Sequence, residues 1–444
     1  MDYLPHSPQE LEAMLDTIGV SGLEELFEQI PGRLRLQRTL DIAGFESEYD
    51  VRRHLESLAA TNSHTESVLS FLGGGVYDHT VPTVIDTLVS RGEYLTAYTP
   101  YQPETSQGSL QALFEFQSMI CDLTGMDVAN SSVYDGANAF VEAAMMTLRC
   151  ARKKNHLLLA GTIHPDYRDT VRTYFQNLDV TLDFIPADNG VIDPDRAATM
   201  ISGDTAALMI QTPNFFGCLE DTAQMGRLAK DAGVMLVASI NPISLGLLNP
   251  PGGYGADITV GEGQPLGNEL QFGGPYFGFF ATVDKYKRQM PGRIVGQTVD
   301  SENRRGFVLT LQAREQHIRR AKATSNICTN SALCALRAAI YMALLGPDGL
   351  REVARVCYEK AHCLAHKISA LEGFELTFDQ PFFNEFTLTT PVPAADICRQ
   401  LQHQNILAGL DLGRFDHERK NQLLIAVTEK IMDADRFVTA LQDF

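Results

Sequence analysis

The sequence predicts an α/β fold: a large domain on a mixed, mostly parallel sheet, followed by a small C-terminal α+β domain. Three observations predict it. Between about 157 and 282, short apolar runs of strand length alternate with amphipathic helical stretches, the pattern of a parallel sheet covered on both faces. After about 371 the pattern changes to short strands interleaved with single helices. The 444 residues also exceed what one hydrophobic core organises.

Each element has its local reason. Residues 1–70 read as an N-terminal helical segment, where Ser7-Pro-Gln-Glu10 has capping-box spacing with Pro8 in the first turn and Ile30-Pro-Gly32 is a break. The large domain, 71–330, opens on Gly73-Gly-Gly75, which permits positive φ. Helices are expected over about Val81–Val89, Ser109–Leu123, Tyr134–Ala151, Asp166–Phe175 and Ala223–Ala232. Strands are expected over Leu157–Ala160, Val180–Ile185, Ala206–Ile210, Val234–Ile240, Ile258–Val260 and Tyr276–Thr282. Residues 331–444 hold two connecting helices, about Asn330–Leu345 and Gly349–Leu371. The small domain follows, with strands at Phe374–Phe378, Phe383–Thr390 and Leu423–Thr428 and helices at Ala394–Gln404 and Asp433–Gln442.

Composition excludes several function classes. A formal net charge of −19 repels a phosphate backbone, so nucleic acid is not an expected partner. The start lacks a cationic segment leading into an apolar one, and no apolar run has membrane-spanning length, so neither a signal peptide nor a membrane span is expected. None of the eight cysteines forms a CxxC pair, which speaks for reduced thiols, a cytoplasmic setting and no metal site. His362 and His366 have helical i, i+4 spacing but no third ligand.

The chemistry-bearing pattern is a cradle that lacks its nucleophile. The layout resembles that of the fold-type I pyridoxal-phosphate-dependent transferases. Such enzymes bind the cofactor phosphate at a helix N-terminus, keep the pyridine nitrogen protonated with a strand-end aspartate, and hold the cofactor on a lysine in a Gly-rich turn. The turn Tyr134-Asp-Gly-Ala-Asn-Ala139 makes a helix N-terminus available for an anion, or is plain capping. The strand Val234–Ile240 ends in Ala238, Ser239 and Ile240, so Ser239 stands near the expected aspartate position. In the Asp257–Phe280 stretch, Gln264 stands 25 residues on, at the expected lysine position, and no lysine occurs between Lys230 and Lys285.

Several long stretches, in order along nearly the whole chain, carry a resemblance. They are Asp2-Tyr-Leu-Pro-His6, FLGGGVYDHTVP from Phe71, YTPYQPETSQGSLQALFEFQ from Tyr98, VYDGANAFVEAAMM from Val133, GEGQPLG from Gly261, MPGRIVGQTVD from Met290 and REQHIRRAKATSNICTN from Arg314. On these the chain resembles the P-protein (glycine decarboxylase) family of the glycine cleavage system, and within it the α-subunit, or subunit 1, type. Asn138 stands where a threonine is expected, and Ala321 where an acidic residue is expected.

The resemblance implies a non-lysine subunit of glycine dehydrogenase (aminomethyl-transferring), inactive alone and paired with a β subunit that binds pyridoxal phosphate, as α2β2. Together they would release the carboxylate of glycine as CO2 and pass the aminomethyl group to the lipoyl arm of the H-protein. The loop Tyr98-Thr-Pro-Tyr-Gln-Pro-Glu104, stiffened by two prolines, offers Tyr98, Tyr101 and Gln102 as groups that could reach a neighbour's site. His79 offers proton transfer, with a structural role as the alternative. Arg293, Arg314, His317, Arg319, Arg320 and Lys322, preceded by Arg304 and Arg305, offer contacts to partner carboxylates, a phosphate or an acidic carrier, with Glu315 as one local counter-charge. Two other readings stay open: an independent pyridoxal-phosphate decarboxylase or aminotransferase using Lys230 or Lys285, and a purely scaffolding subunit.

Overall fold

In the computed structural model, residues 6–42, 44 and 47–444 are described. Residues 2–5 of the opening motif lie outside them. The chain divides into two compact units, residues 1–63 and 64–444. In the first, Ser7 and Glu10 form the reciprocal capping box at the start of α1 (Pro8–Ile18). Gly19 closes that helix in the left-handed conformation, and α2 (Glu48–Ala59) starts on the Ser47 side chain.

The second unit is organised by a seven-stranded sheet. Its strands are β1 (Val128–Ala129), β2 (His156–Ala160), β3 (Thr181–Ile185), β4 (Thr205–Thr212), β5 (Met235–Ile240), β6 (Ile258–Glu262) and β7 (Gly278–Thr282). The order is β1-β7-β6-β5-β4-β2-β3, parallel from β3 to β6, with β7 and β1 antiparallel at the other edge. β2 and β5 are buried along their whole length, as strands covered on both faces must be.

The covering helices include α3 (Val84–Val89), α4 (Gln107–Thr124), α5 (Gly136–Cys150), α6 (Pro165–Phe175) and α7 (Thr222–Ala232). Asp135 and Asp221 cap α5 and α7 through their side chains.

The sequence patterns do not anticipate an antiparallel hairpin, β8 (Ile294–Val299) with β9 (Arg305–Thr310). Its turn explains Arg304, which the sequence offers as part of a free basic run. The guanidinium is tied to Asp300 at 2.8 Å and to Glu302 at 3.1 Å, so it is no spare cation.

The long helix α8 (Ala332–Ile368) runs where two helices are expected. Its backbone is broken at Gly346 (φ 59°, ψ −174°), immediately before Pro347. Among the described residues it alone has the length and apolar content of a membrane span. Its apolar side chains are committed to packing instead. Ala335, Ala338 and Tyr341 enter the large core, while Ala361, Leu364 and Ile368 enter a second, C-terminal core.

That second core lies under a four-stranded antiparallel sheet of β10 (Glu375–Leu376), β11 (Glu385–Thr389), β12 (Leu410–Asp411) and β13 (Gln422–Ala426). Helices α9 (Ala394–Gln402) and α10 (Ala434–Leu441) also contribute to it. Phe71, expected at the start of the large domain, packs into this C-terminal core and stacks on Phe437 at 4.2 Å.

Candidate functional site

The parallel strands β4, β5 and β6 end beside the N-terminus of α5, the crevice where open α/β sheets bind ligands. Here the crevice is filled from within. The free N–H of Gly136, first residue of α5, donates to Glu262 Oε2 at 2.9 Å, and Gln264 N donates to Glu262 Oε1 at 3.1 Å. The helix end that the sequence offers to an external anion is therefore met by the chain's own carboxyl group. A Cβ on residue 136 would lie 2.0 Å from the Tyr167 hydroxyl and 2.9 Å from Glu262 N, so only glycine permits this approach. Burial pushes the Glu262 carboxyl up to about 8, against the N–H donors that favour its charged form.

Gln264 is equally committed. Its Oε1 accepts from Tyr77 N at 2.8 Å, and its Nε2 donates to Tyr77 O at 2.9 Å and Asn268 O at 2.7 Å. The side chain, 1% exposed, clamps the loop after Gly75 onto the turn after β6. Tyr77 in turn donates its hydroxyl to Glu385 Oε2, and Gly74 N donates to Glu385 Oε1, both at 2.7 Å. Burial raises both Tyr77 and Glu385, the latter to about 7. His164 packs edge-on against Phe215, and burial lowers its pKa. Ser239 is buried at the end of β5.

The space left among Gly75, Tyr77, Tyr167, Gln211, Ser239 and Glu262 is about 30 Å³, room for about one water molecule. These residues do not fit a covalently held pyridoxal phosphate. The expected lysine position carries an amide saturated by backbone groups, the helix end expected to take the phosphate is met by a carboxyl group, and the space between them is about 30 Å³.

His79 is buried and is held by Glu429, with Nδ1 2.8 Å from Oε2. Thr80 N donates to the other Glu429 oxygen at 2.6 Å, and Cys357 Sγ donates to Oε2 at 3.4 Å. The three donor side chains lie within 4.8 Å of one another. Their hydrogen bonds brace the Gly-rich loop against α8 and the C-terminal sheet, and a buried imidazole held this way is no surface group for a neighbour. His362 stacks on Phe382, 3.9 Å between centroids, and its Nε2 lies 3.1 Å from Phe382 O. It does not pair with His366.

A second group assembles several of the residues singled out in the sequence. Arg293, 3% exposed, donates from Nη1 to Asn330 Oδ1 at 3.1 Å and from Nη2 to the Tyr101 hydroxyl at 3.2 Å and to Cys328 O. Its guanidinium carbon lies 5.4 Å from the Tyr101 ring centroid. The His317 ring lies 5.0 Å from that of Tyr101, and Glu315 Oε2 lies 3.9 Å from both Arg293 Nε and His317 Nδ1. Tyr98 is 79% exposed, with its hydroxyl 3.3 Å from Thr329 Oγ1. Gln102, Arg319 and Arg320 are exposed, while Arg314 is buried.

Sequence reasoning assigned no role to Glu262, Tyr77 or Glu385. Glu262 could have been found, since it stands two residues before Gln264 at a strand end. The bond from Tyr77 to Glu385 spans 308 positions and leaves no local signal.

The sheet, its C-terminal partner domain and the crevice define the fold-type I class of pyridoxal-phosphate enzymes, in a version whose crevice is closed. At the level of fold, the structure overlays glutamate decarboxylase of Lactobacillus brevis with TM-score 0.67 at 13% identity, covering 93% of this chain and 95% of that one. A crystal structure of glycine decarboxylase (P-protein) of the glycine cleavage system, in inhibitor-bound form, overlays with TM-score 0.90 at 43% identity and covers both chains fully. The model of the glycine cleavage system P-protein family matches residues 1–441. A probable glycine dehydrogenase (decarboxylating) subunit 1 from Desulforamulus reducens is 49% identical over 430 residues, 97% of this chain and 96% of that one. The chain belongs to the glycine cleavage system P-protein family.

Proposed function

We propose that this chain is the cofactor-free subunit of a glycine dehydrogenase (decarboxylating), inactive alone and completed by a β subunit of related fold that holds pyridoxal phosphate. The carrying observation is the closed crevice: Glu262 on Gly136, Gln264 on Tyr77, and about 30 Å³ between them. The name subunit 1 in the relatives supports a second chain, and we take the assembly to be α2β2. The complex would decarboxylate glycine and hand the aminomethyl group to the lipoyl arm of an H-protein, the cofactor supplying the electron sink. This chain's own contribution is positioning and exclusion of water. Tyr98, exposed on a loop anchored by Tyr101 and Arg293, is its reach toward the partner, with Gln102 beside it. Exposed Arg320 offers charge to the partner or the carrier. Eight cysteines without a disulfide fit a cytoplasmic setting.

The test is reconstitution. The chain purified with pyridoxal phosphate should show no visible band of a lysine-bound cofactor and no glycine-dependent CO2 exchange, and co-expression with the β chain should yield both. A band reducible by borohydride onto Lys230 or Lys285 of this chain would overturn the reading in favour of an independent enzyme.

A further inference from the structure

Residues on both sides of the β8–β9 hairpin line an open pocket of about 320 Å³ that is separate from the closed crevice. Arg288, Arg314, Arg319 and Lys322 line it, and no carboxylate does. In a chain of net charge −19, four converging cations without an acid are a costly arrangement unless something neutralises them.

Arg314 is the built part. Its residue is 9% exposed, and Nη1 is pinned by donation to Met290 O. Its Nε and Nη2 atoms are buried and have no partner. These two N–H groups form the side-on fork of a guanidinium, the edge that takes two oxygens of one oxyanion in parallel. Buried donors left unmade cost about 1–3 kcal/mol each, so a fork fixed in this state is placed for an acceptor.

The surroundings hold it there. Thr324 N donates to Arg314 O at 2.9 Å, and Arg319 Nε donates to Ala313 O at 2.9 Å, which leaves the outer Arg319 nitrogens for a ligand. Burial lowers the Arg314 pKa, against the pull of Glu315 and with a smaller push from the positive charge of Arg149. Glu315 is the nearest acid in sequence, but its carboxylate sits between Arg293 and His317 rather than in the pocket.

We propose that this pocket is an oxyanion site for a phosphate dianion, free or as a small phosphomonoester, gripped by the Arg314 fork and neutralised by Arg288, Arg319 and Lys322. A single carboxylate would accept from the fork but leave most of the charge unmatched. A dianion with additional oxygens meets both demands.

Equilibrium dialysis of the full-length chain against labelled orthophosphate, at fixed ionic strength, tests this without partner or cofactor, so its failure leaves the subunit reading standing. Saturable binding at one site per chain is expected, displaced by glycerol phosphate and not by acetate. Displacement tighter than orthophosphate itself supports a phosphomonoester, and weaker displacement supports the free ion. Arg314→Lys, which keeps the charge and removes the fork, should weaken binding about tenfold or more. Should that variant fail to fold, Arg288→Ala and Lys322→Ala, both at exposed positions, decide the matter, with about threefold or greater weakening expected of each. Unsaturable uptake, or affinity unchanged in all variants, overturns the site. So does stoichiometric expulsion of phosphate on adding the β chain, which would give these cations to partner carboxylates.

Discussion

Two regions of this molecule bury polar side chains, and they treat them in opposite ways. In the crevice at the ends of β4, β5 and β6, the two side chains that fill the space are fully used: both Glu262 oxygens accept backbone N–H groups, and Gln264 makes three hydrogen bonds, while Asn241 Nδ2 at the rim is a buried donor left over. Around Arg293 and Arg314, donors remain unspent, with Nε of both arginines and Nη2 of Arg314 buried without hydrogen-bond partners, the Arg293 Nε having only the 3.9 Å ion-pair approach of Glu315. The difference teaches where to look for function in a chain of this kind. A satisfied buried network rigidifies and specifies the fold. Unmet donors on a side chain that also lines an open, cation-lined pocket, as at Arg314, mark where a ligand or a second chain completes them.

The sharpest way to break this contrast is to remove an anchor from each side. Arg293→Ala deletes the hydrogen bonds to Asn330, Tyr101 and Cys328 and leaves Glu315 buried without that neighbour. We expect a loss of about 3 kcal/mol or more in urea unfolding, because removing one member of a buried charge group leaves the other uncompensated. Gln264→Ala strips the clamp from Tyr77 and Asn268 backbone groups and should cost about 2–3 kcal/mol, without creating cofactor binding. If Gln264→Ala were neutral, the crevice would not be a load-carrying network, and the contrast would fail on that side.

A pH profile sharpens it further. Glu385 is raised in the folded state to about 7 by burial, against an ordinary value near 4.5. The native state therefore holds its proton more tightly than the unfolded chain does. This contribution is fully present below about pH 4.5 and is lost as pH rises toward about 7, so it makes the protein less stable across that window. Glu385→Gln keeps an acceptor for Gly74 N, and the Tyr77 hydroxyl can turn to accept from the new amide. Chemical denaturation from pH 5 to 8 should show a shallower decline in the variant, and an unchanged slope would remove Glu385 as its source.

The parallel sheet was legible because a doubly covered strand writes itself as an unbroken apolar run, as Leu157–Ala160 does. Gln264 and Ser239 were singled out because strand ends fix where chemistry is expected, and both prove to be buried at the crevice. The β8–β9 hairpin was not: Arg304 and Arg305 read as a basic cluster, and only the turn geometry reveals that Arg304 serves Asp300 and Glu302. Nor could Arg314 be separated from its exposed neighbours Arg319 and Arg320. Burial is a property of the packed chain, and nothing in REQHIRR distinguishes the first arginine from the others. The plug in the crevice was half legible, since GEGQPLG contains Glu262 but does not say that its carboxyl meets Gly136.

The smallest expected change in stability is the most informative about function. Tyr98 is 79% exposed, and its one polar contact is the 3.3 Å approach to Thr329 Oγ1. Tyr98→Phe should therefore shift the unfolding free energy by no more than about 0.5 kcal/mol. Tyr101→Phe, by contrast, removes the 3.2 Å bond from Arg293 and should cost about 1 kcal/mol. Because Tyr98→Phe leaves the fold intact, a fall in glycine turnover of the reconstituted complex, without a change in assembly, would assign the hydroxyl to the partner's site. Full turnover in that variant would leave this chain as a scaffold whose loop merely packs. The two outcomes separate a contributing subunit from a passive one at a position where stability cannot confuse them.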